Sequence, residues 1–414
     1  MHEAHRNFRA VWPSLFATAM GLMAFLPVLP LYVKERFGFD DGDSLTCWAS
    51  LIYGAAPFAA ACAGPFWGAL GDRVGKKPMA IRANLAIAAT TALMPLAPTP
   101  MWLLVMRALQ GLLAGYVAPA MALASQSVPR ESHGRVIARL QVAMATGTFL
   151  GPQIGAEVSH WCGRESLFFV ASGLSLFAAL WLRLGAVETT APPRHARFVV
   201  EFAAAARTLF AGRVFPALLL LVFVFRIGQN MLEPLLALFV RQLGPEPWLL
   251  QCSETPTLAL DRTIAAAFGV LAVAQWFCTP MWGRLADRHG PLRCLALASL
   301  AIALLQLGMV LVGTTRQFLL LRCLTACFMA GSMTLAYAAV SKRVPDQHRT
   351  FAFALVQSCI QFGLAVGPVL GALVAASDGA EPELRRAFLA SACLCALAGI
   401  GMIRLRRRST ASTA

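Results

Sequence analysis

The ten residues Gly68-Ala69-Leu70-Gly71-Asp72-Arg73-Val74-Gly75-Lys76-Lys77 join two long apolar runs, and the pattern returns in weaker form as Gly283-Arg284-Leu285-Ala286-Asp287-Arg288-His289-Gly290. The copies lie 215 positions apart, and Arg107 and Arg322 keep the same spacing. Farther along, Pro129 and Pro345, Gln141 and Gln357, and the set Gly147, Gly151, Pro152, Gly155 against Gly363, Gly367, Pro368, Gly371 recur at 216. Collinear recurrences over half the chain mark an internal duplication.

What is duplicated follows from the flanking sequence. Of 414 residues 58% are hydrophobic and only 13% charged, with a mean hydropathy of +0.65. One membrane crossing takes about 20 apolar residues, so the apolar content is enough for about twelve. A soluble domain carries about twice this share of charge, and a disordered chain is far less apolar. Apolar runs bounded by charge or by Pro/Gly clusters predict helices over 11–33, 45–70, 79–98, 101–128, 136–158 and 166–187, then 214–241, 263–285, 291–313, 316–341, 350–376 and 386–405. We call these spans 1 to 12. Glu188 to Arg213 is the one long polar stretch. The chain therefore reads as an all-α membrane protein: a six-helix bundle over 1–187, a cytoplasmic linker over 188–213 with an amphipathic surface segment, and a second bundle over 214–414. Six crossings return the chain to its starting side, which makes the halves parallel repeats.

The net charge of +15 is not a nucleic-acid footprint, because its distribution tracks the predicted topology. Starting inside, 24 of the 35 Lys and Arg fall in cytoplasmic segments, eight in outer ones, and Arg107, Arg226 and Arg322 within spans. Basic loops stay in the cytoplasm, so both termini are expected there. The eleven cysteines are an odd number, mostly within apolar runs and without metal-type pairs, and read as small packing residues. A Cys162–Cys252 pairing is left open. The stretch that begins at Val11 runs too long for a signal-peptide core. No metal cluster, GxSxG elbow or phosphate-binding Gly-Lys loop occurs, so an enzyme, an ATP-driven pump and a bound cofactor are not expected.

The residues out of place in this apolar background carry the chemistry. Gly68 permits close helix approach and Gly75 a tight turn, while Asp72 at the inner surface can face the positive N-terminus of a helix from the other half. Arg107 costs a few kcal/mol in hydrocarbon unless it faces a cavity or snorkels about 9 Å to the outer interface. Arg322, without the Gln-Gly that follows Arg107, is expected to snorkel. In span 5 Gly147, Gly151 and Gly155 allow backbone-to-backbone packing and Pro152 kinks the helix. Span 7 places Arg226 near the bilayer centre with Gln229, Asn230 and Glu233 after it on one helical face. Glu233 is the only acid clearly inside a predicted span. It is either a proton site with Arg226 as its opposing charge, or half of a packing pair.

The 68–77 stretch resembles the signature between spans 2 and 3 of the major facilitator superfamily, and the likeness covers essentially the whole chain. Arg107-Ala108-Leu109-Gln110-Gly111 is similar to that family's Arg-x-x-Gln-Gly motif. Residues 147–156 are similar to the signature of its antiporters, with Ala156 where the last Gly is usual. The resemblance is to the twelve-helix drug:proton antiporters. It implies a secondary transporter of the cell membrane, with the bacterial inner membrane as its location, exporting amphipathic organic molecules in exchange for protons and working as a monomer in lipid. It also implies a cytoplasmic gate made by Gly68, Asp72, Arg73, Gly75 and Lys76 with Asp287 and Arg288. Export of an endogenous product such as a siderophore, or uptake of a small metabolite, are the alternatives. Family exporters often place an acid in span 1, and none lies between Val11 and Val33.

Overall fold

The computed structural model describes residues 2–40, 42–126, 133–188, 207–212, 214–341, 343–344, 349–376 and 383–411. Span 1 is α1 (His2–Phe25) and α2 (Leu29–Phe37), span 2 is α3 (Asp43–Val74), and span 3 is α4 (Lys76–Leu93). Span 4 is α5 (Pro100–Leu113) and α6 (Val117–Gln126), span 5 is α7 (His133–Cys162), and span 6 is α8 (Ser166–Gly185). Span 7 is α9 (Val214–Asn230) and α10 (Glu233–Leu243), followed by the short α11 (Pro247–Gln251). Span 8 is α12 (Pro256–His289), span 9 is α13 (Pro291–Val310), and span 10 is α14 (Thr315–Met329) and α15 (Ser332–Ser341). Spans 11 and 12 are α16 (Arg349–Ala375) and α17 (Leu384–Ala411). Among the described residues eleven helical segments are long and apolar enough to cross a membrane, one for every span except span 5. That helix carries Arg139, Gln141, Gln153 and Glu157 along its length. Of the linker, only Glu188 and 207–212 are described, so its amphipathic middle lies outside the described residues.

Spans 1, 4, 7 and 10 are each two helices, which corrects the expectation of twelve unbroken ones. In span 7, Pro234 cannot donate a backbone N–H, and the ladder resumes only with the Leu236 N–H on the Leu232 carbonyl at 2.9 Å. In a membrane the carbonyls freed by a break need protein partners. At span 4 they are supplied by the Trp67 indole, which donates to the Leu112 carbonyl at 2.6 Å, and by Arg82, which donates to that of Ala114 at 3.2 Å. At span 10 Trp282 donates to the Cys327 carbonyl at 2.8 Å and Thr279 to that of Ala330 at 3.1 Å. Trp67 and Trp282 are 215 positions apart, as are Leu112 and Cys327, so the repair is duplicated with the fold.

The chain forms two compact units, one of residues 1–38, 55–196 and 245–272, the other of 39–54, 197–244 and 273–414. The core of the first unites Val11, Leu15, Ile87, Leu123, Leu140 and Leu182. That of the second unites Leu218, Leu295, Ile302, Leu335, Val356 and Met402. In the first, α1 packs along α7 through glycines: a Cβ at Gly147 would lie 2.5 Å from the Phe16 carbonyl oxygen, and one at Gly151 2.6 Å from that of Met20. In the second, α16 packs on α9 in the same way. A Cβ at Gly363 would lie 2.6 Å from that of Arg226, and one at Gly367 2.8 Å from the Ile227 carbonyl oxygen. Backbone and Cβ atoms are what meet the glycines along these seams. Large apolar side chains such as Phe277, Leu304 and Leu311 stand outward from the helices, the surface a bilayer accommodates.

Candidate functional site

Glu233 opens α10 directly after the break, in the first turn of a helix whose positive end favours a negative group. It is 8% exposed and meets Arg322 of α14, itself 4% exposed, with Nη2 to Oε1 at 3.0 Å. This overturns two expectations. Arg322 does not snorkel: the energetics of reaching water were weighed without the carboxylate that span 7 presents to it. Glu233 and Arg226 form no direct ion pair either, because Arg322 takes the Glu233 carboxylate and Arg226 bonds to Gln229. Removing either member of such a desolvated pair strands a buried charge.

Arg226 instead turns along its own helix. Its Nη1 donates to the Gln229 Oε1 at 2.7 Å, and its carbonyl accepts from the Asn230 amide at 2.7 Å. The Arg226 Nε and the Gln229 Nε2 are buried and have no hydrogen-bond partner among the described residues. Nearby, the Tyr337 hydroxyl of α15 donates to the Gln357 Oε1 of α16 at 2.6 Å, and its ring lies 5.2 Å from that of Phe353.

In the first unit Arg107 is buried, donating through Nη1 to Gln110, whose amide donates to the Thr91 hydroxyl at 2.7 Å. The guanidinium also lies 5.7 Å from the Phe25 ring. It is thus held inside the unit and does not reach the surface. Gly75 has φ +109° and starts α4, as the tight turn requires. Gly68, Asp72 and Arg73 fall in α3 and Lys76 opens α4, but the side chains of Asp72 and Arg73 lie outside the described residues. Asp287 and Arg288 are exposed, and Asp287 has no ion pair among the described residues. All eleven cysteines are free, so Cys162 and Cys252 are not bridged.

Two polar assemblies escaped the sequence reading. Asp261, only 4% exposed, accepts from Arg164 at 3.1 Å and from Ser159 at 3.3 Å, and Arg164 also reaches Glu35 at 3.1 Å. Beside it Arg262 pairs with Glu157 at 2.6 Å. Asp261 was passed over because α12 begins seven residues earlier than the apolar run, at Pro256 rather than 263. At the other assembly Glu188 accepts from the Lys77 N–H at 2.7 Å, while the Lys77 Nζ donates to the Ala186 carbonyl at 2.7 Å. Asn7 adds a reciprocal pair with Val187, at 2.9 and 2.8 Å. These contacts pin the end of span 6 to the start of spans 1 and 3. Among the described residues no group of His, Cys, Asp or Glu could hold a metal ion.

Parallel six-helix repeats with broken helices, a glycine seam in each half and a desolvated ion pair at a helix break define a secondary transporter. The chain belongs to the Major Facilitator Superfamily, whose profile matches residues 11–260 and 218–414. It is 31% identical to multidrug resistance protein MdtG of Rahnella sp. (strain Y9602), covering 90% of this chain and 88% of that protein. It is 29% identical to multidrug resistance protein MdtG of Salmonella typhimurium, covering 90% of both. A mutant form of the nucleoside transporter NupG superposes with a TM-score of 0.82 at 12% identity, over 96% of this chain and 99% of that one. An inward-facing, occupied bacterial homologue of the human lysosomal transporter Spinster does so with a TM-score of 0.76 at 14% identity, over 97% and 96%. The protein is thus a multi-pass membrane transporter of small molecules and not an enzyme.

Proposed function

We propose that the chain exports amphipathic organic compounds, including drugs, in exchange for protons. Export is supported by the multidrug resistance proteins to which the chain is similar over nine-tenths of its length. The observation that carries the coupling is the buried Glu233–Arg322 pair. When Glu233 takes up a proton the charge opposite Arg322 vanishes, and the weakened pair favours a rearranged bundle. Loss of the proton restores the pair and the first arrangement. A two-state element biased by one proton is what antiport requires. The break between α9 and α10 gives Glu233 a helix that can shift by changing a few backbone torsions.

Access alternates between the bundles 1–187 and 214–414, joined by the linker 188–213. Gly68, Asp72, Arg73, Gly75 and Lys76 latch the cytoplasmic side, with Asp287 and Arg288 as the lesser copy. Arg107 lines the route beside Gln110, and the seam of Gly147, Gly151, Pro152 and Gly155 seals it against proton leak. The protein acts as a monomer in the bacterial inner membrane with both termini in the cytoplasm, supported by the 24 to eight bias of positive residues.

The test is dye efflux from energised cells that overproduce the chain. Efflux should stop on addition of a protonophore and in Glu233→Gln. Export that survives both would end the proton-coupled reading.

A further inference from the structure

The polar assembly around Asp261 joins parts of the chain that the sequence separates. Residues 245–272 belong to the second repeat by sequence but pack within the first unit, and residues 39–54 of the first repeat pack within the second. Both segments fall on the outer side of the predicted topology. In the second unit the exchanged segment ends at Gly54, where a Cβ would lie 2.5 Å from the Ala365 carbonyl oxygen. In the first unit the exchanged segment is fastened by charge. Arg164, just after α7, reaches Asp261 of α12 at 3.1 Å, Glu157 of α7 reaches Arg262 at 2.6 Å, and His160 lies 3.7 Å from Glu254. The Ser159 hydroxyl adds a bond to Asp261 at 3.3 Å.

Each of the two arginines also holds a partner from its own repeat. The Arg164 Nε meets Glu35 of α2 at 3.1 Å. The Arg262 Nη1 donates to the Cys252 carbonyl at 3.2 Å and to the Ser253 hydroxyl at 3.0 Å. Breaking a buried pair is expensive when one charge stays buried alone. Here a separation of α12 from α7 would carry Asp261 into water and leave Arg164 with Glu35 and Arg262 with its own loop. One turn deeper, the Gln153 amide donates to the Ala265 carbonyl at 2.9 Å. A turn beyond that, Gly269 presents no side chain to interlock with Phe149. Charged ties at the rim, a thin contact beneath them and a second partner for each arginine suit a contact that opens and recloses.

Resting on the transport reading above and its sidedness, we propose that Arg164–Asp261 and Glu157–Arg262 form a partner-exchange latch, which fastens the outer half of span 8 to spans 1 and 5 in this conformation and releases it in each transport cycle.

The experiment uses the full chain in right-side-out spheroplasts, with Cys47, Cys162 and Cys252 changed to Ser. Ala265, 2% exposed, lies one turn beneath Asp261 on the same face of α12, and Ala265→Cys places a thiol there. Adding Arg262→Glu should speed its labelling by a membrane-impermeant maleimide at least about ten-fold. Adding Glu157→Arg as well restores the pair with its signs exchanged, and should return the rate to within about two-fold of the starting one. Labelling that Arg262→Glu leaves unchanged, or that the exchanged pair does not slow, overturns the latch. A second measurement asks whether the contact moves. Ser159→Cys with Asp261→Cys brings two thiols together, and oxidising them to a disulfide with copper phenanthroline should cut dye efflux at least about ten-fold, with recovery on reduction. Efflux that continues through the cross-linked chain makes the contact a fixed brace and overturns the proposal. Efflux that the cross-link blocks but a protonophore does not sinks only the proton coupling, and protonophore-sensitive efflux that the cross-link leaves untouched sinks only the latch.

Discussion

The most searching test of the pair at the span 7 break is a double-mutant cycle on Glu233 and Arg322. At 3.0 Å their attraction is about 5 kcal/mol at an effective dielectric of 20, before desolvation is subtracted. Arg322→Met leaves a carboxylate 8% exposed with its cation gone, and should cost about 3–5 kcal/mol of stability. Glu233→Gln removes the negative charge but keeps an acceptor oxygen at the same place, so its cost should be smaller. Combining the two removes both charges, and the double variant should be more stable than Arg322→Met alone. The four proteins would be compared by reversible unfolding in one mixed-micelle system, with a coupling of about 1–3 kcal/mol expected. Costs that add to within about 0.5 kcal/mol would show that the two side chains do not act as a pair. Substrate-induced proton release, measured on the same samples, should vanish in Glu233→Gln. Undiminished release would place the proton elsewhere.

Gly151→Val should lower expression and stability by at least about 1–3 kcal/mol through overpacking on α1, whereas Gly64→Ala, where a Cβ meets nothing within 4 Å, should be silent apart from a small change in helix propensity; thermal midpoints of the purified variants decide this. Asp261→Asn leaves Arg164 without its buried carboxylate, so it should be destabilising by roughly 3 kcal/mol and should speed labelling of the nearby Cys162 and Cys252 by a water-soluble maleimide. Asp72→Asn should slow transport in vesicles with near-normal insertion, and Asp287→Asn, whose side chain is exposed without an ion pair among the described residues, should leave the rate within about two-fold of native.

The repeat, the number of crossings and the seam glycines were legible because each rests on local spacing: 20 apolar residues, an offset near 215, or a glycine every fourth position. The breaks were legible only in part. Pro27, Gly115, Pro234 and Gly331 punctuate spans 1, 4, 7 and 10, yet the apolar run continues through each, and run length alone reads as one helix. What stayed hidden depends on contacts between distant segments. Nothing near Arg322 in sequence announces Glu233, 89 positions away, and nothing near Asp261 announces Arg164. Trp67 and Trp282 stand one residue before the quoted repeat and share its offset. That recurrence is a signal the amino-acid sequence carries by itself, and it marks both indoles as part of the duplicated framework.

The glycine seams also constrain how such a duplicated chain can be recombined. Gly155 of α7 meets Ala24 of α1, and Gly371 of α16 meets Met231 of α9 and its break. Span 11 therefore follows span 5 by 216 positions, while span 7 follows span 1 by only 207. A chimaera that grafts span 7 into the place of span 1 by counting from the 68–77 repeat would set every glycine against the wrong turn, with side chains where bare backbone must pass. Cutting instead at positions matched through Ala24 and Met231 keeps the two rods in register, and would carry Arg226 and Glu233 into a bundle that in nature has neither, as Ala19 and Leu26 occupy the equivalent positions.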